Sequence, residues 1–398
     1  MKNLRDCYEE IIEGKKWCYY TSDYPNLSIE TLKNEDESYE FIKEYFKCGG
    51  KEQVFCFEII QEHEEKVKRR APHIISTFLL GFIVADSFGI NADSFGINAD
   101  SFGINADSFG INADSFGINA DEDERKFKYL WFLTCLYHDI GYVYEEESTY
   151  EHLCALQTGG LYAAKKICGI EYISNDEFST YCKEYVNIYL SHRARCTYGK
   201  KGKIDHGIVG GLMLYDRLRK NYESAKQKAD LAGTESGFYY NGLFFSEGHF
   251  KYYAEAADAI IAHNIWKSTL DNYLEIEQYM KLNATNIPNI TIDKKMAFVL
   301  AIADTLEPLK RTNNMDVLDE IEFESTKIKN GFNIFIPQKY ETIFEGVRGL
   351  SSWVNVDVGD ELSIRDINSV TERNCNKEIV GEYMSILQKA CDWDENNN

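Results

Sequence analysis

From its N-terminus to about residue 310 the chain repeats apolar residues at a 3.6-residue period, and only five prolines interrupt its 398 residues. Apolar side chains at that spacing line one face of a helix, whereas a half-buried strand needs a period of two. The pattern predicts helices over 50–84, 125–138, 150–168, 176–191, 206–222, 250–264 and 292–303. After 310 the texture changes. Ile321 to Ile328 and Phe332 to Ile336 flank Lys329-Asn330-Gly331, and Asn-Gly between apolar runs marks a hairpin. Val354, Val356 and Val358 alternate with polar residues, as a half-buried strand does, and a last helix is expected near 376–391. The expected fold class is mainly α: a helical segment over 1–60, a helical core over 61–310, and a small α+β appendage over 311–398.

An identical heptapeptide interrupts the core. Ala-Asp-Ser-Phe-Gly-Ile-Asn occurs five times from Ala85 to Asn119. Solenoid units run to about 20 residues or more, and a heptad seam needs apolar residues three and four apart, whereas Phe and Ile here are two apart. Two readings stand: a mobile loop expanded by duplication, or an ordered lid or oligomerisation element.

Charge and cysteine narrow the function classes. With 43 Lys+Arg against 65 Asp+Glu the net charge is −22, which argues against wrapping duplex nucleic acid, since phosphate neutralisation needs a basic face. Eleven cysteines without a CxxC pair suit reduced cytosolic thiols. The N-terminus lacks a signal-peptide core, and the longest apolar stretch, Ile74 to Ala85, is too short to span a bilayer, so a cytoplasmic protein without membrane partners is expected. P-loop, GxGxxG, GxSxG and HExxH motifs are missing, which removes support for the corresponding enzyme classes.

Two positions demand a chemical explanation. Leu130-Trp-Phe-Leu-Thr-Cys-Leu-Tyr-His138-Asp139-Ile-Gly141 is an apolar helix ending in adjacent imidazole and carboxylate, with Gly141 placed to terminate it. Met296-Ala-Phe-Val-Leu-Ala-Ile-Ala-Asp304 puts a lone carboxylate on an almost wholly apolar helix. An unpaired buried carboxylate costs several kcal/mol or more, so Asp304 is expected to be paired or to hold a metal.

Taken with His73 in Arg69-Arg70-Ala-Pro-His73, these residues occur in the order His73, His138-Asp139, Asp304. In that order the chain resembles the HD superfamily of metal-dependent phosphohydrolases over roughly residues 65–310. The resemblance implies a helical-bundle core in which His73, His138, Asp139 and Asp304 bind a divalent ion, with Asp139 as the catalytic residue whose loss is most damaging. Imidazole with carboxylate suits Mn, Fe, Co, Ni or Zn, and Mg where water completes the shell. Such an ion lowers the pKa of a bound water for attack on phosphorus.

Asp205-His206-Gly-Ile-Val-Gly-Gly and Ile260-Ile-Ala-His263-Asn264 look like the next segments of dinuclear HD proteins, where the second often reads His-His. That likeness implies a second ion on His206 and His263 with Asp139 bridging, and Asn264 is a departure from it. His192 is the alternative ligand. Many HD phosphohydrolases carry a lysine after His-Asp-x-Gly; this chain has Tyr142. Arg193, Arg195, Lys200, Lys201 and Lys203 bring five positive charges into eleven residues without an acid, and this loop is the expected phosphate clamp, with a solvated loop as the plain alternative. The function expected is hydrolysis of a phosphoester or phosphoanhydride in a nucleotide, cyclic nucleotide or similar small substrate. A single-strand nuclease and a non-catalytic metal-containing sensor or partner-binding module are the alternatives.

Overall fold

The computed structural model describes residues 2–18, 25–47, 60–88, 122–142, 206–229, 237–240, 243–246, 249–264, 292–312, 314–325, 331–340, 343, 355–358 and 362–365. The helices expected over 150–168, 176–191 and 376–391, and the repeat after Phe88, lie outside the described residues.

Most of the described chain is helical. The longer helices are α1 (Leu4–Glu13), α2 (Glu35–Lys47), α3 (Glu64–Ser87), α4 (Glu122–Tyr137), α5 (His206–Lys228), α6 (His249–Ala262) and α7 (Ile292–Leu306). Two single turns follow, α8 (Leu309–Thr312) and α9 (Val317–Glu320). Helix α3 runs three residues past its expected end and takes in the opening Ala85-Asp86-Ser87 of the repeat. Among the described residues no helix is long and apolar enough to cross a membrane.

Helices α3, α4, α6 and α7 pack on one another, with α5 against α6. Their buried faces carry large side chains: Trp131, Tyr137, Phe78 and Phe132 are all sealed from solvent. Each stabilises the fold by about 1.5–3 kcal/mol relative to exposure. The Trp131 indole N–H donates to the Phe78 carbonyl at 2.9 Å, so the one polar group of that ring is satisfied. A core helix with this little polar surface makes every buried acid or imidazole on it conspicuous.

Beside the helices lies a five-stranded antiparallel sheet in the order β1-β4-β5-β7-β6. Its strands are β1 (Lys2–Asn3), β4 (Glu322–Ser325), β5 (Gly331–Phe335), β6 (Asn355–Val358) and β7 (Leu362–Arg365). A separate hairpin pairs β2 (Gly237–Tyr240) with β3 (Leu243–Ser246). The expected hairpin across Asn330-Gly331 is β4–β5, with Phe323 opposite Ile334 and Ser325 opposite Phe332. Phe323, Phe332 and Ile334 are buried while Glu322 and Glu324 are exposed, so one face of the sheet is covered. The Phe332 ring meets Phe88 at the end of α3, and Phe88 meets Phe298 of α7.

The sheet is not built from the C-terminal region alone. Lys2 and Asn3 pair with Phe323 and Glu322, the Leu4 amide donates to the Ile321 carbonyl at 2.8 Å, and the Arg5 guanidinium grips Asp319 at 2.6 and 2.9 Å.

Candidate metal centre

Three helices deliver the four residues singled out by their sequence context. His73 projects from the middle of α3, His138 and Asp139 occupy the turn that ends α4, and Asp304 sits in the last turn of α7. Helix α4 ends at Tyr137, and Gly141 follows the doublet at a contact that only glycine permits. A Cβ there would stand 1.9 Å from the His206 carbonyl oxygen and 2.8 Å from the Gly210 nitrogen. The turn therefore lies directly on the N-terminus of α5, which brings His206 to Asp139.

One ligand atom from each of His73, His138, Asp139 and Asp304 lies within 4.8 Å of all the others, and none of these residues is more than 5 % exposed. His73 Nε2 is 3.2 Å from His138 Nε2, and 3.3 Å from both Asp139 Oδ2 and Asp304 Oδ1. His138 Nε2 is 3.3 Å from Asp139 Oδ1 and 3.4 Å from Asp304 Oδ1.

The outer atoms of the rings fix the tautomers. His138 Nδ1 donates to the Cys135 carbonyl and His263 Nδ1 to the Ile260 carbonyl, both at 2.6 Å; a carbonyl only accepts, so the proton resides on Nδ1. His73 Nδ1 meets Glu307 Oε2 at 2.6 Å. Each arrangement aims an Nε2 lone pair inward, the carboxylate–histidine and carbonyl–histidine support common behind metal ligands. His73 Nε2 and His138 Nε2 face each other at hydrogen-bond distance, 3.2 Å, so they meet through a shared proton or through a bound cation. Among the described residues, the buried Asp139 Oδ1 and His263 Nε2 have no hydrogen-bond partner. Two imidazoles, two carboxylates and these orphaned atoms fit a divalent ion.

The neighbouring charges set the protonation of the cluster. Burial and Lys310 push the His73 ring towards neutrality, but Glu307 and the hydrogen bonds to Asp139 and Asp304 prevail and raise it to about 10. Burial opposes ionisation of Asp139, yet His138, Lys310, His73 and Arg70 hold it well below the usual carboxylate range. Burial and the neighbouring His206 and His138 rings drive His263 well below its ordinary value, so it is neutral.

His206 and His263 border the cluster. His206 Nε2 is 3.5 Å from Asp139 Oδ1, and the His263 ring lies edge-on to those of His206 and His138. The amide of Asn264 reaches His206 Nε2 at 3.1 Å, which makes the departure at Asn264 part of the site's rim. Gly207 lets this corner close: a Cβ would meet the His263 ring and the Ile260 carbonyl at 2.7 Å.

Three further residues belong to the site although no sequence reading singled them out. Glu307 is fully buried and ionised: burial disfavours its charge, but His73 and the hydrogen bonds it receives lower its pKa. Besides His73 it accepts the amides of Leu309 and Lys310 at 2.8 and 2.9 Å, the bonds of an N-cap, and so starts α8. That turn places Lys310, whose Nζ lies 2.8 Å from Asp304 Oδ1 and 3.7 Å from Asp139 Oδ2. Arg70, one turn before His73 on α3, bonds the same Asp139 Oδ2. The Arg70 guanidinium also lies 3.8 Å over the Tyr142 ring, whose other side stacks on His206 at 3.8 Å and 14°. Tyr142, which follows Gly141 directly after the doublet, thus stacks between a cation and an imidazole. Arg193, Arg195, Lys200, Lys201, Lys203 and His192 lie outside the described residues.

A cavity of about 690 Å³ opens onto the cluster, with His73, Asp139, Arg70, Tyr142 and Lys310 in its wall. No family model matches the chain, and no curated protein or solved structure does.

Proposed function

We propose that this protein is a metal-dependent phosphohydrolase with an HD-type helical core, acting on a small phosphorylated molecule such as a nucleotide. The observation that carries the reading is the pairing of two opposite features at one cavity. A buried four-residue cluster suited to a divalent ion stands beside two fixed cations, Arg70 and Lys310. Asp139, Asp304 and Glu307 supply three negative charges there, and Arg70 and Lys310 two positive ones. A divalent ion leaves the site with positive charge that an anionic ligand balances.

His73, His138, Asp139 and Asp304 would hold the ion. His206 and His263 offer a place for a second one sharing Asp139. Bound there, a divalent ion neutralises phosphoryl charge and acidifies a coordinated water. The chain's own groups do the rest. Arg70, aligned by Tyr142, and Lys310, aligned by the Glu307-capped turn, orient the phosphoryl oxygens. Glu307 and the Cys135 carbonyl keep the His73 and His138 rings aimed inward, and the apolar helices exclude bulk water.

Elemental analysis of chain purified without chelator or nickel, together with turnover on a panel of phosphorylated compounds, tests this. One or two transition-metal ions per chain and metal-dependent phosphate release are expected, with both lost in Asp139→Asn at unchanged circular dichroism. A chain that takes up no metal after reconstitution with manganese and iron refutes the reading.

A further inference from the structure

Helix α1 lies outside the stretch of chain that carries the metal-ligand candidates, yet buried hydrogen bonds run from it to His73. Leu4, Tyr8 and Ile11 recur at helical spacing on its buried face. A phenylalanine in place of Tyr8 would pack there without a hydroxyl to bury. The Tyr8 hydroxyl is sealed from solvent, 2.9 Å from Ser76 Oγ and 3.2 Å from the Ser76 carbonyl oxygen. Ser76, equally buried, follows His73 by three residues on α3, and its side chain hydrogen-bonds Glu307. Glu307 Oε2 in turn meets His73 Nδ1 at 2.6 Å, and His73 Nε2 faces the cluster.

The direction of each link follows from its chemistry. The Glu307 carboxylate is ionised and only accepts, so the Ser76 O–H donates to it. A hydroxyl has one proton, so Ser76 Oγ accepts from Tyr8. Burial and the Glu307 charge hold the Tyr8 hydroxyl well above its ordinary value, so it keeps the proton it donates. A carboxylate has about four acceptor sites. His73 and the Leu309 and Lys310 amides take up part of that capacity, and Ser76 adds a further donor. Without Tyr8 the Ser76 hydroxyl is free to turn to the carbonyl one helical turn back, a common bond for serine inside a helix, and Glu307 loses that donor. A buried hydroxyl pair alone is nearly neutral against apolar groups of the same shape, so stability gives it little reason to be there. The same helix also holds the stretch after Lys310: the Arg5 guanidinium donates to the Met315 carbonyl at 3.4 Å, and Met315 lines the cavity.

We infer that Tyr8 is a positioning residue of the metal centre, acting through Ser76 and Glu307 on His73, so that docking of α1 and binding of a divalent ion stabilise each other. The inference rests on the proposed reading of the cluster as a metal centre. The coupling is reciprocal: what α1 adds to ion affinity, the ion adds to the seating of α1.

Competition of manganese against a fluorescent chelator, with the full chain, tests it. Tyr8→Phe should weaken manganese binding about three- to tenfold, short of the 10–100-fold expected for a direct partner of a ligand. It should also move the His73 Nδ1–H signal in the ¹H–¹⁵N spectrum of the zinc-loaded chain. In a Ser76→Ala background the same change should cost nothing further, because Tyr8 acts through that hydroxyl. Tyr45→Phe, which removes a buried hydroxyl bonded to the Trp17 carbonyl, should leave the affinity within about twofold. In the unaltered chain, zinc should slow hydrogen exchange of the α1 amides about threefold or more, a readout that needs no variant to fold. Any of four results overturns the inference and leaves the metal centre standing: manganese affinity within twofold of wild type in a natively folded Tyr8→Phe, an equal effect of Tyr45→Phe, a further loss in the Ser76→Ala background, or α1 exchange unchanged by zinc. A wild type that binds neither manganese nor zinc counts against both.

Discussion

Glu307→Gln is the sharpest probe of how the site is held. Besides a hydrogen bond from the Ser76 side chain, the carboxylate accepts at Oε1 from the Leu309 amide, and at Oε2 from both His73 Nδ1 and the Lys310 amide. Glutamine has nearly the same shape but replaces one oxygen with an NH2. In one orientation that group faces the Leu309 N–H at 2.8 Å; in the other it faces the Lys310 N–H at 2.9 Å and forces His73 Nδ1 to accept. In the second case His73 gives up its Nδ1 proton and keeps one on Nε2, the atom aimed at the cluster. Loss of one charge-assisted bond costs the metal-free fold about 1.5–3 kcal/mol. Removing the support behind a ligating histidine weakens metal binding about 10–100-fold, or about 1.4–2.7 kcal/mol. Competition of manganese or zinc against a fluorescent chelator measures the second quantity and thermal melting the first, while imidazole ¹⁵N shifts report the tautomer. Metal affinity within twofold of wild type, in a variant with native circular dichroism, would refute the assignment of Glu307 as the group that orients His73.

Three other outcomes are expected. Gly141→Ala drives a Cβ into the His206 carbonyl and the Gly210 nitrogen, both backbone atoms, so it should cost about 3 kcal/mol or more in denaturant unfolding and lower metal content as the Asp139 turn shifts; a melting temperature within a degree of wild type would contradict this close approach. His73 is raised from 6.5 to about 10, so its proton stabilises the metal-free fold fully below about pH 6.5 and the contribution is lost as pH rises through 10. Melting in the presence of chelator should therefore fall over that window, with saturating divalent ion flattening the slope, and a flat chelator profile would count against a protonated His73. Tyr142→Leu removes the ring between Arg70 and His206 and should weaken orthophosphate binding about three- to tenfold, whereas Tyr142→Phe, which keeps both stacking faces, should match wild type in the same titration.

The residues that sequence alone revealed were those whose chemistry clashed with their neighbours. His138-Asp139 ends an apolar helix and Asp304 lies on another, so polar groups at buried positions needed an explanation, and the cluster supplies one. Glu307, Arg70 and Lys310 escaped because their roles depend on where helices end and cross. A signal existed for two of them. Glu307 follows Asp304 by three residues, directly after the last residue of the same apolar helix, and Arg70 precedes His73 by three on α3, so each lies one turn from its neighbour. Lys310 had none, since only the turn after Pro308 brings it back over Asp304. The hairpin Gly237–Ser246 was legible in principle, because Asn241-Gly242 separates Phe-Tyr-Tyr from Leu-Phe-Phe in the same way as the pair that marked β4–β5. Strand β1 was not. Two residues carry no period, and their register comes from β4, some 320 residues away.

That last pairing bears on the order in which the molecule takes shape during synthesis. The first partner of α1 arrives early: the Tyr8 hydroxyl hydrogen-bonds Ser76 on α3. Its second partner, the Asp319–Phe323 stretch that receives Arg5, Leu4 and Lys2, leaves the ribosome about 245 residues later. At translation rates of about 5–20 residues per second the delay is roughly 12–50 s. Closing a loop of that length carries an entropic cost of about 5 kcal/mol, against about 2.7 for a 20-residue one. Throughout that interval the backbone edge of Lys2 and Asn3 lacks the strand it pairs with in the finished sheet, so the sheet's first strand is closed into it only once β4 has emerged.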